Sequence, residues 1–403
     1  MKVLIVALPQ KISKNQFEPL ELAPMAIYLL ASILMKNKHE VSIIDPCEFI
    51  QYEHKGDIEE LCAQYIMKKI SSKDIQLIAF SVNSFNWSNT KVIIQRIADN
   101  FPDVKIALGG LHPSIFDKHV LESSDAHIVM RGEGEKIIVN LCNALEYNMT
   151  LEGVKGITYK LNGNVLRNED EIELTVEEME NTPYPAYELL PSSNPYTQLP
   201  VETSRGCRFS CAFCSIPHRR NWRGLSVEHV IKRVKHALQF KDNINRGTRL
   251  LFVDDCFTAN GERAINVFKK LHRLYGYTEK VFIEARVTDI LKNQILQNIP
   301  LQMVSSMQIG VECGYNEGLK KIRKGLTVEQ LFSALEILKQ YQFDKHCFLS
   351  IMFFLNSLYR FVYINRTFRQ RNIFPCECTD FSQTDSGIHT YENSKIPVCK
   401  MQA

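Results

Sequence analysis

The chain has 403 residues, 45% of them hydrophobic and 23% charged, which is ordinary globular composition and enough for two or three domains with full cores. A formal net charge of +3 gives no electrostatic case for nucleic acid as the main partner. No window reaches the ~20 apolar residues of a membrane-spanning helix, and the opening apolar run stops at Pro9 with no cleavage pattern after it, so the chain reads as cytoplasmic with no membrane span.

The first 150 residues alternate strand and helix patterns. "KVLIVAL" is a continuous apolar run typical of a parallel strand buried on both faces. Leu22 to Lys36 has apolar residues at helical spacing, and "HEVSIID", "IQLIAFSV", "VKIALGG" and "AHIVMRG" supply four more strands. Five such units predict a doubly wound parallel sheet, in which ligands bind outside the carboxyl ends of the strands. Three of those ends run into distinctive loops: "SVNSFNWSN" from Ser81, "GGLHPS" from Gly109 and "RGEGE" from Arg131. Their glycines permit positive φ and close backbone approach, and three such loops at one sheet edge point to a binding site.

A hairpin follows, signalled by Asn162-Gly163. The segment from Pro183 to Pro200 then holds five of the chain's fifteen prolines, which predicts an extended connector and a domain boundary. Beyond it a second βα series begins. "LPVETS" leads into a cysteine-rich loop, a helix is predicted from about Ser226 to Phe240, and "TRLLFVDD", "KVFIEAR", "SSMQIGVE" and "KHCFLSIMFF" read as four further strands. Successive βα units of this kind suggest a full or partial (β/α) barrel, with its active site at the carboxyl ends of the strands.

The chain has twelve cysteines, and without a secretion signal these argue against a disulfide scaffold. Cys47, Cys62, Cys142, Cys256, Cys313 and Cys347 stand alone and read as small buried apolar residues. Cys207, Cys211 and Cys214, in "CRFSCAFC", form a cluster. Three thiolates could hold zinc with a remote fourth ligand such as His218 or Cys256, although structural zinc sites usually come as two separated pairs. They also suit an iron–sulfur cluster with one iron left open.

With its aromatic Phe213 and the preceding strand, this loop resembles the signature of the radical S-adenosylmethionine enzymes. "TSRGC", "LFVDDCFTAN", "IGVECGYNEGLKKIRKGLTVEQ", "GGLHPS" and "VMRGEGE" resemble the branch that also carries an N-terminal cobalamin-binding domain. The resemblance implies a [4Fe–4S] cluster held by Cys207, Cys211 and Cys214, with S-adenosylmethionine chelating the open iron. It implies that Phe213 lies by the adenine through its backbone. Asp254 and Asp255 would take the cofactor's amino group, and Arg286 and Glu312 its carboxylate and its ribose or amine. Cobalamin would lie over Ser81, Asn83, Gly109, Gly110, Leu111, His112, Gly132 and Glu133. The Asp-x-His-x-x-Gly motif that supplies an axial histidine in many cobalamin proteins is absent from the sequence, so no protein ligand to cobalt is implied.

The fold class expected is therefore α/β. Residues 1–150 form the cobalamin-binding domain, 151–198 a small β hairpin and proline-rich linker, 199–354 the radical barrel and 355–403 a divergent C-terminal tail. In that tail "RFVYINRTFRQRNIF" is basic and aromatic, and Cys376, Cys378 and Cys399 suggest a second cluster less readily than a divergent end. The implied activity is reductive cleavage of S-adenosylmethionine to a 5′-deoxyadenosyl radical, followed by methyl transfer from cobalamin to an unactivated carbon of a small-molecule or lipid substrate. An electron donor such as flavodoxin or ferredoxin is implied with it. Cyclisation, ring rearrangement or oxidation with the same cofactors is the alternative, as is a cofactor-binding protein impaired by its altered end. No single residue stands out as the catalytic group.

Overall fold

The computed structural model describes residues 1–13, 16–216, 219–241, 249–292, 295–341, 348–355 and 360–367. His218, Cys347, Cys376, Cys378 and Cys399 lie outside them. Among the described residues no helix is long and apolar enough to cross a membrane.

The apolar runs of the first half become β1 (Lys2–Ala7), β2 (Glu40–Ile44), β3 (Leu77–Ser81), β4 (Lys105–Gly109) and β5 (Ile128–Met130), all parallel in the order β2-β1-β3-β4-β5. Because side chains alternate along a strand, β1 serves two cores at once. Val3 and Ile5 pack with Ile27 of α1 (Met25–Lys36), while Leu4 and Val6 pack with Ile66 of α2 (Ile58–Lys73) and Ile94 of α3 (Trp87–Asn100). Two short helices follow, α4 (Leu111–Ile115) and α5 (Asp117–Glu122). Next, α6 (Gly134–Glu146) adds Ile137 and Leu141 to the α1 side. Each such side chain, fully buried, contributes about 1.5–3 kcal/mol.

The hairpin belongs to this same sheet. Its strands β6 (Ile157–Leu161) and β7 (Asn164–Arg167) extend the edge antiparallel, with Ile128 opposite Tyr159. The turn holds Asn162 at φ 50° and Gly163 at φ 80°, as a two-residue hairpin requires. The proline-rich segment has one short turn, Tyr187–Leu189, and is anchored rather than loose. Tyr196 and Tyr28 both donate to the buried carboxylate of Asp45, and the Tyr187 hydroxyl donates to the Pro200 carbonyl at 2.8 Å.

The second sheet contains β8 (Gln198–Val201), β11 (Arg249–Phe252), β12 (Val281–Ala285), β13 (Val304–Glu312) and β14 (Phe348–Leu355), all parallel, with β15 (Arg360–Thr367) last and antiparallel. A two-stranded ribbon, β9 (Ser204–Arg205) and β10 (Arg223–Gly224), brackets the cysteine loop. Helices α7 (Val227–Leu238) and α8 (Gly261–Tyr275) cover the sheet. Among the described residues the strand order is open. The described strand after Leu355, β15, pairs antiparallel with β14, an arrangement that needs no crossover helix. One contiguous core runs from Ile5, Tyr28 and Ile137 through Tyr187 and Tyr196 to Phe252, Val281 and Met307.

A chain of buried ion pairs crosses between the two sheets. Arg205 on β9 meets Glu133 at 3.2 Å, Glu135 at 2.5 Å and Glu202 at 2.6 Å. Arg223 meets Glu133 at 2.7 Å, and Arg233 meets Glu202 at 2.7 Å. Burial alone would raise the Glu202 carboxyl, but Arg205 and Arg233 outweigh it and hold it at about 2. Glu133 is likewise lowered against its burial, by Arg223 and Arg205.

Removing one partner strands the others, so Arg205→Ala is expected to cost about 3–5 kcal/mol in urea unfolding at neutral pH. Both carboxyls titrate below their unfolded value of about 4.3, so this stabilisation is complete above that value and fades as pH falls through about 2. The gap between wild type and variant should narrow on acidification. A gap that stays constant from neutral pH to the acid limit of folding would contradict the assignment.

Candidate functional site

The cysteine loop is held at its entrance by two carboxylates. Asp254, just past β11, accepts from the amides of Thr203 at 2.7 Å and Ser204 at 2.9 Å, and from the Thr203 hydroxyl. Asp255 accepts from the amide of Gly206 at 2.8 Å, where the backbone turns at φ 80°. Within the loop the Cys214 amide donates to the Cys211 carbonyl at 3.1 Å, and the Ala212 amide donates to Ile322 at 2.8 Å.

Two aromatic side chains of the loop seat cations, Arg286 from just past β12 and Lys324 from a loop after β13. The Arg286 guanidinium lies 3.5 Å from the Phe209 ring centroid, and its Nη1 is 3.7 Å from Cys211 Sγ. Lys324 Nζ stands 5.6 Å from the Phe213 centroid and pairs with Glu312 Oε1 at 2.8 Å. Glu312 is 5% exposed, has φ 72°, and its Oε2 has no hydrogen-bond partner. A Cβ on Gly310 would fall 2.6 Å from Glu312 Oε1 and 2.9 Å from Lys324 Nζ, so a side chain there would make the ends of this pair shift. The structure thus brings Phe213, Arg286 and Glu312 to one place beside the cysteines, with Lys324 as a fourth member that its sequence context does not signal.

Three thiols on one eight-residue segment are the donor chemistry that an iron–sulfur cluster takes. Among the described residues no three His, Cys, Asp or Glu side chains gather closely enough to hold a single metal. Cys256, the alternative fourth ligand, is buried and directs its thiol to Asp289 Oδ2 at 3.3 Å. Burial pushes the thiols of Cys207 and Cys214 up, and a bound metal centre is what would deprotonate them.

Of the two aspartates, Asp254 spends its acceptors on Thr203 and Ser204 and is 2% exposed. A carboxylate that the sequence reading passed over, Glu284, stands near the end of β12 at a position between the core-facing Ile283 and Ala285. Burial raises it first, Asp255, Asp254 and Glu312 add to that, Lys324 opposes, and its carboxyl is pushed up to about 7.

The carboxyl ends of the first sheet form the other half. Ser81 and Gly109 are register partners on β3 and β4. Gly110 has φ 104°, and a Cβ there would lie 2.5 Å from the Val82 carbonyl oxygen. Asn83 accepts from the amides of Phe85 and Asn86 at 2.9 and 3.0 Å and so shapes the first loop. Gly132, at φ 82°, donates its amide to Ser114 Oγ at 3.0 Å. Phe85, Leu111, Ile115 and Phe116 are exposed in these loops, an apolar rim that fits a broad macrocycle. His112 sits between Trp87 and Phe116 with Nδ1 3.0 Å from Ser84 Oγ. Burial, then His119, lowers its imidazole. Glu133 departs from the group: its carboxylate is turned into the ion pairs with Arg205 and Arg223 and accepts from the Leu174 amide at 2.6 Å.

Comparison with known proteins agrees with both halves. Residues 19–142 match the B12 binding domain and residues 201–357 the radical SAM superfamily. An uncharacterised methyltransferase of Pyrococcus horikoshii is 29% identical over 351 residues, covering 85% of this chain and 72% of its own. The hopanoid C-3 methylase of Methylococcus capsulatus is 22% identical over 79% of this chain and 58% of its own length. The solved structure of the cobalamin-dependent S-adenosylmethionine radical enzyme OxsB, with aqua-cobalamin and S-adenosylmethionine bound, shares the fold at a TM-score of 0.71 and 23% identity, over 87% of this chain. This chain spans 49% of OxsB. With a B12-binding domain ahead of a radical SAM domain, the chain belongs to the radical S-adenosylmethionine enzymes that carry cobalamin.

Proposed function

We propose that the chain is a cobalamin-dependent radical S-adenosylmethionine methyltransferase acting on an unactivated carbon of a small-molecule or lipid substrate. The observation that carries this reading is the ion-pair chain from Glu133 and Glu135 to Arg205, which locks the loop after β5 to the strand two residues ahead of Cys207. In this proposal Cys207, Cys211 and Cys214 hold a [4Fe–4S] cluster. Phe213, Arg286 and Glu312 contact S-adenosylmethionine, and Asp254 and Asp255 shape the loop that presents it. Ser81, Asn83, Gly109 to His112 and Gly132 line the cobalamin site, with Glu133 supporting it from behind. Bound there, the cluster and S-adenosylmethionine supply a 5′-deoxyadenosyl radical, and cobalamin supplies a transferable methyl group.

The chain's own residues hold these sites in register. Arg286 and Lys324 place positive charge over the two loop aromatics and so restrain the cysteine backbone. The apolar rim of Phe85, Leu111 and Phe116 excludes water from the face it covers. We place the electron donor among flavodoxins or ferredoxins. All eight cysteines among the described residues are free thiols, as suits the reducing cytoplasm. We propose domain limits of 1–150, 151–198, 199–354 and 355–403, the hairpin of the second span pairing onto the sheet of the first.

Anaerobic reconstitution with iron and sulfide tests the cysteine assignment. Cys211→Ala should lose the cluster's visible absorption and all 5′-deoxyadenosine formation; a variant that keeps both refutes it. Gly110→Ala tests the rim separately. A side chain at that φ costs about 1–2 kcal/mol and meets the Val82 carbonyl, so cobalamin uptake should fall at least about tenfold, about 1.4 kcal/mol, while the cluster spectrum is kept. Unchanged uptake would remove that loop from the site. Product mass separates methylation from cyclisation or oxidation, since methylation alone adds a methyl group.

A further inference from the structure

Two stretches that meet at the cysteine loop are charged with one sign. Residues 203–227 hold five arginines, and residues 318–328 hold three lysines and an arginine, with no aspartate or glutamate in either. These nine cations exceed the formal net charge of the whole chain, +3, so the rest of the chain is net acidic. Arg205, Arg223 and Lys324 are turned inward to Glu202, Glu133 and Glu312. The other six, Arg208, Arg219, Arg220, Lys320, Lys321 and Arg323, are exposed. Among the described residues none of the six makes an ion pair. Exposed lysines elsewhere are matched with acids, as in Lys155 with Glu169 and Lys270 with Glu228.

Backbone and side-chain contacts draw the six around the loop. On one side Cys207 and Arg219 pair as an isolated β-bridge, and Arg220 Nη2 donates to Ser210 Oγ at 3.3 Å. The Arg208 guanidinium lies 5.1 Å from the Trp222 ring centroid. On the other side the Ala212 amide donates to the Ile322 carbonyl at 2.8 Å, which seats Lys320, Lys321 and Arg323 beside the loop. Between the two sides the loop reaches the surface at Ala212 and Ser215, both exposed, and Cys207 and Cys214 are only half-buried. Unpaired like charges held this close repel one another, and nothing described in the chain offsets them. A partner of opposite sign would, and the loop they surround is the redox element of the protein.

We propose that this collar is the docking surface for an acidic protein that delivers one electron, its carboxylates facing the six exposed cations. The assignment rests on the cofactor reading given above. In the docked pair one electron leaves the donor's reduced group and enters the oxidised cluster. With a flavin donor the anionic hydroquinone becomes the neutral radical, so no proton moves and no bond is made. The collar residues steer and orient the donor; they carry neither the electron nor a proton.

The test is stopped-flow reduction of the reconstituted, cobalamin-loaded protein by flavodoxin hydroquinone, read from the cluster's visible absorption, together with the affinity for oxidised flavodoxin. Rate and affinity should both fall steeply as ionic strength rises. The double variant Lys320→Glu, Lys321→Glu should lower both at least about tenfold at low salt, and Arg219→Glu, across the loop, should lower both in the same direction. The double variant Lys68→Glu, Lys73→Glu changes net charge equally on the exposed side of α2 and should leave both within about twofold. Reduction by photoreduced deazaflavin, a small neutral donor with no carboxylate to dock, should be unchanged in all three. Salt-independent reduction by flavodoxin would overturn the proposal, as would an equal loss in the collar and α2 variants. Capture of RNA by the collar with flavodoxin unaffected would overturn it too. If iron and sulfide build no cluster in wild type, the cofactor reading itself fails, a result distinct from unaltered docking on an intact cluster.

Discussion

Arg205 is the residue on which the arrangement depends. Its guanidinium is shared among Glu133 and Glu135 of the first sheet's last βα loop and Glu202 at the mouth of the second. A guanidinium presents five donors in a fixed plane, so it can satisfy several carboxylates at once where lysine could not. Buried charges are costly to desolvate, and such a cluster gains geometric definition more than raw stability. That definition is useful here because Cys207 follows two residues later. The loop proposed to hold the cluster and the loop beside the proposed cobalamin rim are thereby tied to one planar group.

The second constraint is the way the cysteine loop is held. Asp254 and Asp255 pin its entrance, while Arg286 and Lys324 pin its aromatics from the far side. Glu312 sits in the left-handed region, a conformation that costs a non-glycine residue of order 1–3 kcal/mol and persists only where surroundings impose it. It coincides with a shift of strand register between Gly310 and Glu312, where Lys324 holds the Glu312 carboxylate.

Much of this was legible in the sequence, and the limits have physical reasons. Continuous apolar runs announced parallel strands, because a strand covered on both faces has no polar side to show. The cysteine spacing suggested a metal loop, because three thiolates on one short segment can serve a single cluster. Partners distant in sequence stayed hidden. Glu133 was placed with cobalamin because "RGEGE" is a glycine-rich strand end, whereas its carboxylate is turned toward Arg205 and Arg223. Nothing local marks a pair separated by that much chain. Lys324 has the same excuse. Glu284 does not: it lies on a strand the sequence had already marked, between the core-facing Ile283 and Ala285, and period-two reasoning alone would have raised it. The hairpin and β15 were not assigned to a sheet for another reason, since antiparallel pairing leaves no helix pattern to say which sheet a strand will join.

The proline-rich segment has a further consequence. Tyr187 and Tyr196 are 1% and 0% exposed, and they belong to the same apolar core as Ile5 of the first sheet and Phe252 of the second. Cutting the chain there would leave each half with a raw apolar wall, and would strip Asp45 of a phenol that satisfies it. What the composition marks as a seam between separable parts is the middle of one cooperative folding unit, so the two halves should be gained and lost together rather than exchanged as modules.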